Sequence, residues 1–373
     1  MDKHLHIVTH DVPWPADFGG TIDLFYKIKA LHSLGIKIQL HCFTNKRPEQ
    51  EILKKYCVSV QYYPRKKGFA AFSLSVPYIV QSRSNEKLFV NLSKDNHPIL
   101  LEGIHCTYLL QAGRLQDRKV FVRLHNVEHK YYRKLAAHEN HFIKKTYYNI
   151  ESFLLEKYER KLATKAVFWT VSKGDAAYYK DELQATQVHF VPVFLPWNKV
   201  DIVTGKGPFC LYHGNLSVNE NEKAVEWLLK EVFNDLNLPL VIAGKDASAY
   251  LKELETSHPN SCIVVNPSEG EMQDLIHKAQ VNILPSFNDT GVKLKVLNAL
   301  FNGRHCLVNA AAVEGSGVED LCTIAGTASQ FKERLVEFFT KPFSEEDLLK
   351  RENTLKEIYD AEQNAMKLIA WIY

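Results

Sequence analysis

Short apolar runs alternate along this chain with longer amphipathic stretches, and the alternation predicts strand followed by helix, again and again. His6-Ile7-Val8-Thr9 reads as a strand. After a loop with Pro13, Pro15, Gly19 and Gly20, residues Leu24, Ile28, Leu31 and Leu34 fall at helical spacing, and Gly35 ends that helix. Ile36, Ile38, Leu40 and Cys42 then alternate as a second strand, completing a βαβ unit. Val58-Ser59-Val60, Ile99-Leu100-Leu101, Val120-Phe121-Val122, Val167-Phe168-Trp169 and Val188-His189-Phe190-Val191 add short strands, with a long amphipathic helix over residues 140–163.

Between residues 192 and 208 the periodicity stops among Pro192, Pro196, Gly205, Gly207 and Pro208, which predicts a linker. A second series begins at Phe209-Cys210-Leu211-Tyr212, with strands at 240–244, 262–265 and 281–284 and helices near 220–233, 247–256, 270–279 and 292–302. A chain of 373 residues has room for two domains of ordinary size. The expected organisation is α/β: a Rossmann-like domain over 1–195, a linker over 196–207, and a second Rossmann-like domain over 208–345 facing the first across a cleft. C-terminal helices over 346–373 are expected to cross back toward the first domain.

Charge is unevenly divided. Residues 1–195 hold 29 Lys and Arg against 18 Asp and Glu, whereas 196–373 hold 17 against 25. A basic half beside an acidic one suggests a polyanion or an anionic membrane surface as partner of the first half, solvated lysines being the plain alternative. Nucleic acid is not expected, because the basic residues are spread and not striped with aromatics. The seven cysteines form no CxxC pair and read as reduced core thiols. No HxxxH, HExxH or Asp-x-Asp pattern occurs, so no metal site is expected. Met1-Asp2-Lys3-His4-Leu5 lacks a secretory apolar region, and no apolar run is of spanning length. The expected location is the cytoplasm, free or peripheral at the inner face of the membrane.

Ligands of open α/β sheets bind beyond the carboxyl ends of the strands, so loops that follow strands are the candidate sites. Asp17-Phe18-Gly19-Gly20-Thr21 offers a backbone that a ligand can approach and free N–H groups at a helix start, or merely a tight turn. Arg123-Leu124-His125-Asn126-Val127-Glu128 places a histidine where it can meet a hydroxyl, with Glu128 and Arg123 holding it or touching substrate; a capping Asn126 beside a satisfied histidine is the alternative. His213-Gly214-Asn215-Leu216-Ser217 follows a strand in the second half, and Asn221 opens the next helix. In Leu284-Pro285-Ser286 through Thr290-Gly291-Val292-Lys293-Leu294-Lys295, two lysines sit at a helix start, where the macrodipole opposes them unless an anion binds. Asn298 follows Lys295 at i+3 on the same face.

The order of these pieces resembles the retaining, nucleotide-sugar-dependent glycosyltransferases of the GT-B fold, group-1 type. The similarity lies in the Gly-Gly loop, His125-Asn126-x-Glu128, Ser172-Lys173-Gly174-Asp175, the Gly214 to Leu228 opening of the second half, and above all the block from Leu284 to Gly303. The resemblance implies transfer of a sugar, with retention and without a metal, from a nucleotide-diphosphate sugar to a hydroxyl of a saccharide acceptor, free or lipid-linked. The nucleotide sugar is then a co-substrate, and no cofactor is implied. It further implies His125, Lys295 and Asn298 as catalytic residues. Gly19, Gly20, Gly214, Asn215, Gly291, Val292 and Lys293 would lie on the donor and its phosphates, and Asp17, Arg123 and Glu128 on the acceptor side. Arg65-Lys66-Lys67 with Phe69 and Phe72 would lie near the lipid surface. Two positions depart from the family pattern: Thr290 and Asn298 stand where many members carry glutamates, and Asp289 is one residue early. Asn215 and Asn221 stand where members carry phosphate-clamping cations. A catalytically silent binder of glycan or of a partner enzyme, and a nucleotide-sugar 2-epimerase, are the rival readings.

Overall fold

In the computed structural model, residues 2–373 are described apart from Asp289 and the side chain of His138. The chain forms two compact units: Met1–Pro196 together with Tyr359–Tyr373, and Trp197–Ile358. Unit 1 holds seven parallel strands, β1 (His4–Thr9), β2 (Lys37–Thr44), β3 (Ser59–Pro64), β4 (Ile99–Glu102), β5 (Val120–Leu124), β6 (Val167–Thr170) and β7 (Val188–Phe190), in the order β3-β2-β1-β4-β5-β6-β7. Unit 2 holds six, β8 (Cys210–Asn215), β9 (Leu240–Lys245), β10 (Ser261–Val265), β11 (Val281–Ile283), β12 (His305–Val308) and β13 (Thr323–Ile324), in the order β10-β9-β8-β11-β12-β13, again all parallel.

The central strands of unit 1 are apolar on both faces because helices cover both. One core gathers Leu5, Ile7, Leu40, Phe121 and Trp169 under the Gly19–Ser33 helix, and another gathers Val8, Phe43, Val122 and Phe168. Each sheet reverses its strand order once, at β1/β4 in unit 1 and at β8/β11 in unit 2. At such a reversal the crossover helices leave to opposite faces, which opens a crevice beyond the strand ends.

The C-terminal helices divide differently from the expected 346–373 block. The Glu345–Tyr359 helix lies almost wholly in unit 2, where Arg351 donates to the carbonyls of Gly303 (2.6 Å) and Arg304 (2.7 Å). The Ala361–Ile372 helix belongs to unit 1, with Ala365, Leu368 and Ile372 buried in the core beneath the Gly19–Ser33 helix. All seven cysteines are free, but Cys262 is exposed on edge strand β10 instead of buried. β12 and β13 had no counterpart among the predicted strands.

Candidate functional site

Unit 1 places a charged, largely buried group at its strand reversal. Glu102 ends β4, Arg123 lies in β5, His125 follows β5, and Asp23 and Lys27 sit one turn apart on the Gly19–Ser33 helix. Lys27 Nζ pairs with Asp23 (3.1 Å) and Glu102 (2.8 Å), all three side chains shielded from solvent. Burial pushes the Asp23 and Glu102 carboxyls up, but Arg123 and Lys27 around Asp23, and Lys27 and His125 around Glu102, hold both below their ordinary values.

Arg123 requires a correction. Its guanidinium is buried and saturated: it donates to both oxygens of Asp23 (3.0 and 2.9 Å) and to the carbonyls of Val191 (2.6 Å) and Pro192 (3.0 Å). It braces the chain leaving β7, and its guanidinium N–H groups are used within the protein. Asp17, also expected on the acceptor side, is ion-paired with Arg47, which lies over the Phe18 ring. Glu128 is buried too. Burial first and the charge of Glu159 next push its carboxyl up to about 8.

His125 is half-buried at the edge of this network, whereas Asp17 and Gly19 are exposed. Its Nδ1 lies 4.0 Å from Asp23 and its Nε2 3.4 Å from Glu102. The ring of His10, just beyond β1, is 6.1 Å from it and 5.2 Å from that of His105, and His10 also lies against Gly20. Burial, with Arg83 nearby, lowers His10 to about 3 and lowers His105 as well. The Nδ1 atoms of both are enclosed without a partner. Asp23, Glu102 and His125 could together offer three ligand atoms to a metal. Lys27 and Arg123 already neutralise the two carboxylates, so this is an ion-pair network first.

Unit 2 builds its site at the β8/β11 reversal. Gly291 has φ +67°, a left-handed conformation that glycine takes at little cost, and it turns the chain from the β11 loop into the Leu294–Asn302 helix. The helix starts two residues later than expected, so Lys293 is its N-cap and Lys295 its second residue. The loop is pinned from two sides. Ser286 donates its hydroxyl to Glu220 (2.7 Å), its backbone N–H donates to Asn309 Oδ1 and its carbonyl accepts from Asn309 Nδ2, while Asn288 Nδ2 donates to Glu220 (3.2 Å). Asn288 Oδ1 in turn accepts from the Thr290 N–H and hydroxyl. Asp289, in the same loop, lies outside the described residues.

The two predicted lysines part company. Lys293 Nζ donates to the Thr290 carbonyl at 2.6 Å. Lys295 turns inward: its ammonium donates to Asn221 Oδ1 (2.9 Å) and the Tyr212 hydroxyl (3.1 Å) and lies 4.7 Å from the Tyr212 ring centre. Both hydrogen-bond partners are neutral, and among the described residues Lys295 forms no ion pair. Burial lowers its pKa to about 8, with Glu220 opposing and Lys293 adding to the fall. Asn221 is oriented by donating to the Asn215 carbonyl (2.9 Å) and lies against Gly214. Asn215 Oδ1 is occupied by Ser217, and Val292 is half-buried in the turn. Asn298 faces along its own helix and accepts from Asn302 Nδ2 at 2.7 Å.

Sequence reasoning missed Tyr212, Glu220 and Asn288 in unit 2, and His10, Glu102, Asp23 and Lys27 in unit 1. A signal existed for some of them. Asp23 and Lys27 interrupt the apolar stripe Leu24-Ile28-Leu31, and Glu102 ends the apolar run 99–101.

The comparisons with known proteins concur on class. Residues 207–341 match the family described as "Glycosyl transferases group 1". The "Uncharacterized 44.6 kDa protein in cps region" of Klebsiella pneumoniae is 28% identical over 333 residues, spanning 83% of this chain and 84% of that protein. Among solved structures, sucrose-phosphate synthase from Thermosynechococcus elongatus superposes with a TM-score of 0.69 at 14% identity, covering 99% of this chain and 98% of that one. A TarM variant from S. aureus, solved with fondaparinux, alpha-GlcNAc-glycerol and UDP, gives 0.64 at 11% identity over 99% of both chains. The fold is therefore GT-B, with two parallel-sheet Rossmann-like units, and the family match over the second unit supports a glycosyltransferase.

Proposed function

We propose that the protein transfers a glycosyl group from a nucleotide-diphosphate sugar to a hydroxyl of a saccharide acceptor, free or lipid-linked, with retention and without a metal. One observation carries the reading: the half-buried Lys295 ammonium, whose hydrogen-bond partners among the described residues are neutral, at the strand reversal of unit 2 and next to a helix start. A cation drawn partly out of water onto neutral partners is costly, and a diphosphate set against it would offset that cost with charge-assisted bonds. The donor then lies on unit 2, with N–H groups of the Gly291–Lys293 turn and Lys295 taking up charge as the sugar–phosphate bond breaks. The acceptor oxygen bonds to the sugar carbon on the face the diphosphate leaves, and its proton passes to the departing phosphate oxygen. His125 is assigned to orient the sugar or the acceptor. The TarM variant solved with UDP is in keeping with a donor of this class.

A screen of nucleoside diphosphate sugars by thermal shift, followed by turnover with saccharide acceptors, tests the reading. Lys295→Ala is expected to lower turnover about 100-fold or more; near-normal turnover would remove the diphosphate assignment. A second reading, a silent glycan-binding protein, is favoured by Asn298, whose carbonyl is engaged by Asn302 where many relatives of the resembled family carry a glutamate. Failure of every nucleoside diphosphate sugar to raise the melting temperature would favour it. Interconversion of a donor with no acceptor present would point to the epimerase instead.

A further inference from the structure

Large apolar side chains in unit 1 are gathered on its surface. Phe69 (99% exposed), Phe72 and Leu74 (84%) stand on the 65–77 loop, and Phe142 (80%), Ile143 (70%), Ile150 and Phe153 stand on the Phe142–Leu162 helix. Single exposed apolar residues are ordinary, whereas a group this large marks a surface that something covers. The two segments adjoin. The loop runs into Tyr78, whose ring meets that of Tyr147 edge-on at 6.4 Å, and Glu151 accepts from the backbone N–H groups of Tyr78 (3.0 Å) and Ile79 (2.9 Å).

Charge says what the cover is. Arg65, Lys66 and Lys67 lead into the loop, Lys144 and Lys145 interleave the apolar residues of the helix, and Lys157 lies 4.1 Å from the Phe153 ring centre. Between Glu51 and Glu86, and again between Glu139 and Glu151, the chain contains no acidic residue. Protein–protein interfaces deplete lysine. Phenylalanine, leucine and isoleucine projecting into solvent with lysines among them suit the headgroup region of a bilayer: the tips enter the acyl boundary and the ammonium groups remain at the lipid phosphates. No helix among the described residues is long and apolar enough to cross a membrane, so the contact is one of lying on the surface.

We infer that this face of unit 1 docks on an anionic lipid bilayer, with Phe69, Phe72, Leu74, Phe142 and Ile143 inserted and Lys67, Lys144 and Lys145 on lipid phosphates. The inference stands on the surface alone and does not depend on the sugar-transfer reading. Co-sedimentation of the full chain with vesicles of phosphatidylcholine, with and without phosphatidylglycerol, tests it. Binding is expected only with the anionic lipid, and it should weaken as salt is raised. Phe69→Ser combined with Phe142→Ser and Ile143→Ser should lower affinity at least tenfold. Removing an interfacial cation costs about fivefold, so Lys144→Glu with Lys145→Glu should cost about 25-fold or more. All these sites are exposed, so an unchanged melting temperature is the folding control. Equal binding to neutral vesicles, no binding at all, or a concentration-dependent dimer abolished by the same substitutions would overturn the inference.

Discussion

Two cations set the chemistry at the level of single residues, Arg123 buried and Lys295 half-buried, and their partners are of opposite kinds. Arg123 has both oxygens of Asp23 and two carbonyls as partners, so its charge is compensated. Arg123→Met would strand Asp23 and leave Lys27 as its remaining cation. We expect a loss of about 3–5 kcal/mol, read from urea unfolding, far beyond any effect a substrate contact would have on stability. Lys295 has neutral hydrogen-bond partners among the described residues and a pKa of about 8, so a growing share of the free protein carries a neutral amine above that pH. An anion needs the ammonium form. Nucleotide affinity should therefore fall up to about tenfold per pH unit above pH 8, with proton uptake on binding seen by calorimetry in buffers of different ionisation enthalpy. An affinity flat from pH 7 to 10 would contradict this.

Among elements, the join between β8 and the Asn219–Trp227 helix decides how firmly Lys295 is held. Gly214 packs on Asn221: a Cβ on it would stand 3.4 Å from the Asn221 amide, at the tight edge of ordinary van der Waals contact. Gly214→Ala is expected to weaken nucleotide binding by no more than about threefold, measured by calorimetry, with little effect on melting temperature. Elements of this kind were legible beforehand. The Gly19–Ser33, Phe142–Leu162 and Glu269–Lys278 helices lie within a few residues of the ranges read from periodicity, because each buries one apolar stripe. The strand β13 was not legible, since two residues are too few to show a period, and β12 was missed although it is no shorter than β4 or β6. The lysine pair was visible as a motif, but not its divergence, because the inward turn of Lys295 depends on Tyr212, some eighty residues earlier.

For the molecule as a whole, buried neutral histidines tie stability to pH. Burial lowers His6, His10, His41, His105, His213 and His305, and takes His10, His41 and His213 down to about 3. Their folded pKa lies below the unfolded value near 6.5, so the unfolded chain binds more protons in between and stability falls on acidification. Glu128 (about 8), Asp175 (about 6) and Glu151 are raised and act in the opposite sense above about pH 4.5, but they are fewer. Each deeply lowered histidine should cost about 2 kcal/mol at pH 5, so the denaturation midpoint is expected to drop clearly between pH 7 and pH 5; a flat profile would contradict it. The order of residues alone was enough to specify two parallel α/β units and the loops beyond their strands, since periodicity and glycine placement are local properties of the chain. Which side chains share a crevice, and which charges find partners, followed from packing: Arg123 is a brace because Asp23, a hundred residues away in sequence, lies 2.9 Å from it, and Lys295 donates to neutral groups because folding set it beside a phenol and an amide.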